Sequence, residues 1–252
     1  MAKICWIIGA SYGIGESLAY KYYQQGYDVI ISARSKDKLQ KIKNNLQKSK
    51  SLQKVTILDF DVCDYKKFSN ACDIILKKFK KIDLAFYAPA IYKPENIYKF
   101  DINYSHQILS INLGGCLNFL NIIAPIMKRQ KYGHIALIAS VAGYCGLPNS
   151  LTYGATKAAI INLAEGIYNQ LKANNINLSL INPGFVATRL TKKNKFHMPL
   201  IISSSQAANI IYSNINKNKF EITFPKRFTI IIKILKLLPY KIFFYLTKKL
   251  QS

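Results

Sequence analysis

The chain has 252 residues, half of them hydrophobic, enough to bury the core of one α/β domain. Five scattered cysteines argue against a disulfide framework and for a reduced, cytoplasmic protein; His106, His134 and His197 lack metal-ligand spacing, so no metal site is expected. The formal charge of +24 has two readings: a surface attracting anionic lipid, nucleic acid or phosphorylated substrate, or the Lys-, Asn-, Ile- and Tyr-rich bias of AT-rich coding. No nucleic-acid-binding motif accompanies the charge, so nucleic acid is not an expected partner.

The first apolar run, residues 3–9, reads as a strand so near the start that no signal peptide is expected. It leads into Gly9, Ser11, Gly13, Ile14 and Gly15, at the opening of a helical pattern over 14–25 that Gly26 closes. Glycines in a strand-to-helix turn let backbone approach a pyrophosphate, whose charge is favoured at a helix N-terminus. Those five residues are therefore candidate cofactor ligands, although packing alone can also require such glycines. The second strand, Asp28–Ala33, runs into Arg34, where an acid would hold the 2′-hydroxyl of NAD. A guanidinium there fits the 2′-phosphate of NADP, so NADP is expected in preference to NAD; the alternative is a solvated arginine before a lysine-rich helix.

Further strands are expected at 55–61, Leu84–Tyr87, 134–139, 178–182 and Glu221–Phe224, with helices over 65–80 and 105–129 among them. This alternation predicts a doubly wound, Rossmann-type α/β fold, a parallel sheet of about seven strands with helices on both faces, in a domain over residues 1–225. Residues 134–156 carry no Lys, Arg, Asp or Glu, but Gly, Pro, Asn and Ser interrupt them, which fits a buried strand and an active-site loop better than a membrane span.

Tyr153 and Lys157 stand one helical turn apart, with Ser140 upstream. A cation beside a phenol favours the phenolate, and a tyrosine tuned that way exchanges protons with a substrate oxygen near neutral pH. With the glycine turn, this points to hydride transfer between a nicotinamide and a carbonyl or alcohol. Taken singly each residue has a structural explanation, since the chain holds 17 tyrosines.

On these residues the chain resembles the short-chain dehydrogenase/reductase family, from about Lys3 to Thr188. The family's glycine motif matches Gly9, Gly13 and Gly15, with Ile8 where threonine is common. Its Asp-Val beside the adenine matches Asp61 and Val62. Its active-site asparagine matches Asn112, its strand-end serine Ser140, and its Tyr-x-x-x-Lys Tyr153 and Lys157. Its Pro-Gly and following threonine, along the nicotinamide, match Pro183, Gly184 and Thr188. The resemblance implies that Tyr153 is the acid in reduction and the base in oxidation. Lys157 would lower its pKa and hold the nicotinamide ribose, Ser140 would donate to the substrate oxygen, and Asn112 would position water for proton relay. It also implies a homo-oligomer. One motif departs: residues 87–90 read Tyr87, Ala88, Pro89, Ala90 in place of Asn-Asn-Ala-Gly, which puts cofactor affinity and local stability in question. The alternative to an enzyme is a nucleotide-binding sensor or scaffold that keeps the fold without the chemistry. Cys145 reads either as a lining of the substrate pocket or as a packed small hydrophobe.

Residues 226–252 form a basic extension. On a helix, Lys226, Thr229, Lys233 and Lys236 fall on one side, with Phe228, Ile231, Ile232, Leu235 and Leu238 over the rest. After Pro239 come Phe243, Phe244 and Leu246, then Lys248 and Lys249. Such a segment suits the surface of an anionic membrane, peripheral on its inner face, and a lipid-like substrate. Alternatively it packs over the substrate opening or against another subunit. Residues 189–204, with Phe196, Met198, Leu200, Ile201 and Ile202, are the expected substrate loop and suit an apolar small molecule.

Overall fold

Strand β1 (Ile4–Ile8) is buried along its whole length. Its alternate residues serve two cores: Trp6 and Ile8 pack with Phe60, Phe68 and Phe119 on one face, Cys5 and Ile7 with Leu18, Tyr22 and Phe86 on the other. A strand that is apolar on both faces needs helices on both, and the connections supply them. The computed structural model describes residues 2–48, 51–193 and 198–248. Phe196 and His197 of the sequence reading, and Lys249 with the rest of the tail, lie outside the described residues.

In chain order follow α1 (Gly13–Gln24), β2 (Asp28–Ala33), α2 (Lys36–Gln47), β3 (Val55–Asp59), α3 (Tyr65–Phe79) and β4 (Leu84–Tyr87). Then come α4 (Ile102–Ile108), a π-helical turn (Leu109–Gly114), α5 (Gly115–Gln130), β5 (Gly133–Ile138), α6 (Leu151–Lys172) and β6 (Ile176–Pro183). The chain goes on through β7 (Val186–Ala187), β8 (Ile202–Ser203), α7 (Ser204–Ile215), β9 (Glu221–Phe224), α8 (Lys226–Leu237) and α9 (Tyr240–Lys248). Gly26, at φ +83°, follows α1 in the left-handed conformation expected of a helix stop.

The main sheet is parallel, in the order β3-β2-β1-β4-β5-β6-β9. Strand order reverses between β1 and β4, whose carboxyl ends align with that of β2 (Ile8 opposite Ser32 and Tyr87). A crevice at such a switch point is where doubly wound sheets bind ligands. All seven predicted strands are present; β3 stops at Asp59, and β6 reaches back to Ile176 and on to Pro183.

Two features differ from the sequence reading. The helix expected over 105–129 spans 102–130 and is interrupted by the π-helical turn, which carries Asn112. The second correction concerns the tail. Thr229, assigned to the basic side of α8, is buried with Ile232 and Leu235, while Ile230, Ile231, Ile234 and Leu237 are exposed. Thr229 tolerates burial because its hydroxyl donates to the Pro225 carbonyl at 3.2 Å.

Candidate active site

A cleft of about 300 Å³ opens at the switch point, lined by Gly9, Ser11, Gly13, Ile14 and Gly15 among others. Gly9 has φ +84°, and a Cβ there would lie 2.6 Å from the Pro89 nitrogen. A Cβ at Gly15 would overlap the Gly9 carbonyl oxygen, so close seating of α1 on the end of β1 requires glycine. Tyr12, the residue that caps α1, offers no side-chain acceptor to the first turn. Its N–H groups therefore suit an anion, and the glycines serve both packing and phosphate approach.

Beyond the turn the cleft is cationic. Arg34, Lys38 and Arg189 line it, together with Asp61 and Val62. Arg34 pairs with Asp61 at 3.7 Å, but both side chains are substantially exposed, so the pair contributes only about 0–1 kcal/mol. Arg34 can therefore exchange that partner for a phosphate at little cost. Tyr12 lies between the Lys38 ammonium, 4.2 Å from its ring centroid, and the Arg189 guanidinium, at 4.3 Å. Tyr12, Lys38 and Arg189 escaped the sequence reading, because residues so distant in the chain meet only through the fold.

The departing segment after β4 is firmly held. Tyr87 is fully buried, donates to the Ile111 carbonyl at 2.5 Å and packs beside Phe119 at 5.6 Å between centroids. Asn112 holds the same segment from the π-helical turn. Its Oδ1 accepts from the Ile91 amide at 2.9 Å, and its Nδ2 donates to the Ile91 carbonyl at 3.1 Å and to Thr156 Oγ1 at 3.3 Å. Those bonds occupy the side chain, which is buried and, unlike the other predicted site residues, does not line the cleft. Through these bonds Asn112 ties the cleft wall (Ala88, Pro89, Ala90, Ile91) to α6.

At the base of the cleft stand Ser140, Tyr153 and Lys157, with Pro183, Gly184 and Thr188 on the adjoining wall. Ser140 Oγ accepts from the Ala142 amide at 3.1 Å, and its hydrogen bond to Tyr153 favours the phenolate. Lys157 is buried, its Nζ donating to the Ile138 carbonyl at 2.8 Å and lying 5.6 Å from the Tyr153 ring centroid. Burial brings its ammonium down to about 8. Burial also pushes the Tyr153 phenol up to about 12, outweighing the Ser140 hydrogen bond, with Tyr92 adding in the same direction. The lowering expected from Lys157 does not appear, because desolvation of the phenol is the larger effect.

Two further residues position this group. Tyr92 meets the Tyr153 ring edge-on at 5.0 Å, and Lys193 donates to the Tyr92 carbonyl at 2.6 Å. Glu95, the one buried carboxylate among the described residues, sits at the start of α6. It accepts from the Thr152 amide at 2.7 Å, and from the Thr152 and Ser105 hydroxyls, both at 2.9 Å. Tyr153 is the next residue. Nothing in the sequence distinguishes Glu95 from an ordinary loop acid.

Cys145 lies outside this cleft. It lines a second cavity of about 750 Å³ between the loop after β5 and α9, and it packs with Val141, Tyr144 and Ile232. That is the packed-hydrophobe reading. Among the described residues no cluster of His, Cys, Asp and Glu could hold a metal ion.

Residues 3–198 match the family model for short chain dehydrogenase. An uncharacterized oxidoreductase of Staphylococcus aureus (strain MW2) is 28% identical over 189 residues, which cover 75% of this chain and 80% of that one. A short chain dehydrogenase/reductase from Burkholderia phymatum, solved in complex with NAD, superposes with a TM-score of 0.85 over 92% of both chains at 21% identity. A short-chain dehydrogenase from Sphingobium yanoikuyae, solved with NADPH, gives 0.81 at 20% identity, covering 89% of this chain and 88% of that one.

Proposed function

This chain belongs to the short chain dehydrogenase family, and we propose that it is an NADP-dependent oxidoreductase interconverting a carbonyl and an alcohol on an apolar, lipid-like substrate. The observation that carries this reading is that Ser140, Tyr153 and Lys157 share one cleft with the glycine turn and the Pro183, Gly184 wall. The residues present fit the cofactor: an uncapped first turn of α1 for the pyrophosphate, and Arg34, with Lys38 and Arg189 nearby, for a further phosphate. When bound, the cofactor supplies or accepts the hydride. Asp61 and Val62 would flank the adenine, and Thr188 the nicotinamide.

The protein's own part is proton handling and orientation. At neutral pH the Tyr153 phenol is protonated, the form that reduction of a carbonyl needs, and it gives that proton to the substrate oxygen. Ser140 donates to the same oxygen as negative charge develops there. Lys157 stays largely protonated below about pH 8 and stabilises the phenolate left behind. In the oxidising direction the same groups run in reverse, and Tyr153 then needs a lower pKa than burial allows. Lys157, 5.6 Å from the Tyr153 ring centroid, would favour the phenolate in that direction. Asn112 and Glu95 act as positioning residues.

Support for an apolar substrate comes from Leu200 and Ile201, both exposed in the stretch between the cleft and β8. A cytoplasmic homo-oligomer is in keeping with the scattered free thiols and the family. Titration with NADPH and with NADH, followed by nicotinamide fluorescence, tests the cofactor assignment. Wild type should bind NADPH more tightly. Arg34→Asp should weaken NADPH by about 10–100-fold, as expected for one charge-assisted bidentate contact of about 1.5–3 kcal/mol. Equal affinities for both nucleotides in wild type and variant would refute it.

A further inference from the structure

The outer face of α8 and α9 takes no part in the reading above. Because α8 turns Thr229, Ile232 and Leu235 inward, a rotation of about 100° per residue places Ile230, Ile231, Ile234 and Leu237 within an arc of about 120° on the opposite side. These four are 55, 59, 54 and 83% exposed. On α9, Tyr240 and Phe244, 78 and 60% exposed, stack at 5.7 Å between centroids. Spacings of three and four residues make the α8 set one continuous apolar stripe, and Tyr240 with Phe244 a second on α9, rather than scattered exposures. A helix on the surface of a water-soluble domain ordinarily carries polar side chains there.

The charge carried by the two helices has one sign. Lys226, Arg227, Lys233, Lys236, Lys241 and Lys248 are exposed along the two helices, and residues 226–252 contain no Asp or Glu. Lys233 pairs with Glu221 at 2.5 Å; the other five have no carboxylate within ion-pair distance among the described residues. Across a twofold axis a second copy would set these cations against themselves. An anionic bilayer accommodates both components at once, apolar side chains at the acyl boundary and ammonium groups among the headgroups.

We infer that α8 and α9 dock flat on an anionic lipid surface through Ile230, Ile231, Ile234, Leu237, Tyr240 and Phe244. The inference is independent of the catalytic reading. The opposite side of α8 packs on the cleft wall, where Phe228 meets Phe185 at 5.2 Å between centroids and fills the space over Gly184.

The test is flotation of the full-length protein with vesicles of phosphatidylcholine alone and of phosphatidylcholine with phosphatidylserine. It is run beside an Ile231→Glu/Ile234→Glu variant, whose positions are exposed and whose fold is checked by circular dichroism. Sedimentation velocity follows both proteins without lipid. Wild type should float with the phosphatidylserine vesicles, less so at high salt, and the variant's partitioning should fall by about tenfold or more. Equal partitioning of the two proteins, or failure of wild type to float, overturns the inference. So does a wild-type dimer that the variant converts to monomer, which would assign the face to a second copy.

Discussion

Replacing Glu95 with alanine is expected to loosen the start of α6, the helix that carries Tyr153 and Lys157. The carboxylate receives three hydrogen bonds, from the Thr152 amide, the Thr152 hydroxyl and the Ser105 hydroxyl. The two hydroxyls can rotate to other acceptors. The amide cannot, and an unsatisfied buried N–H costs about 1–3 kcal/mol. Losing an anionic acceptor at a helix start adds about 0.5–2 kcal/mol, and the vacated side-chain volume roughly another 1 kcal/mol. The sum is about 2.5–6 kcal/mol. In a chain of this size each kcal/mol moves Tm by about 2–4 °C, so Glu95→Ala should melt about 5–25 °C below wild type. Glu95→Gln keeps the shape and one acceptor oxygen, and should lose about a third of that. Thermal melts followed by circular dichroism at neutral pH decide the matter. A Glu95→Ala protein melting within about 2 °C of wild type would show that Glu95 does not anchor the helix.

His134 is buried, with Nε2 2.9 Å from Ser179 Oγ; that hydroxyl's own proton goes to the Lys219 carbonyl at 2.6 Å, so the imidazole is the donor. Burial holds it at about 4 instead of 6.5, so between those pH values the unfolded chain takes up a proton that the folded one does not. About 3 kcal/mol of stability should therefore be lost as pH falls through that interval. His134→Gln should flatten this acid limb in urea titrations at pH 7 and pH 4.5, and an unchanged limb would contradict the argument. Gly15→Ala would drive a methyl group into the Gly9 carbonyl and should cost about 1–3 kcal/mol or more together with NADPH affinity, read from melting and fluorescence. A variant with wild-type Tm and affinity would mean that α1 is not seated as tightly as described.

The strands were legible because a parallel sheet covered on both faces writes long apolar runs into the sequence, as β1 and β5 do. The glycine turn, Arg34, Ser140, Tyr153 and Lys157 were legible because each sits at a fixed place relative to a strand end or one helical turn from a partner. Glu95 was not, since what buries it is a helix start 57 residues away. The π-helical turn left no trace in the pattern, as one widened turn does not disturb an apolar periodicity of about 3.6. Asn112 was recognisable as a site residue, but its bonds to the Ile91 backbone form only where the fold brings the π-helical turn against the loop after β4. On α8, periodicity separated two sides of the helix without telling which one the protein would cover. The answer depended on β9 and on the Gly184, Phe185 segment beneath it.

The central claim is proton transfer by Tyr153 in a cleft that holds NADPH. Its most direct measurement is NADPH consumption against a panel of apolar aldehydes and ketones, by wild type and by Tyr153→Phe, with NADPH affinity measured on both. Turnover should fall by about 10²–10⁴-fold in the variant while NADPH affinity stays within about threefold of wild type. Undiminished turnover in Tyr153→Phe would contradict the assignment of the proton donor.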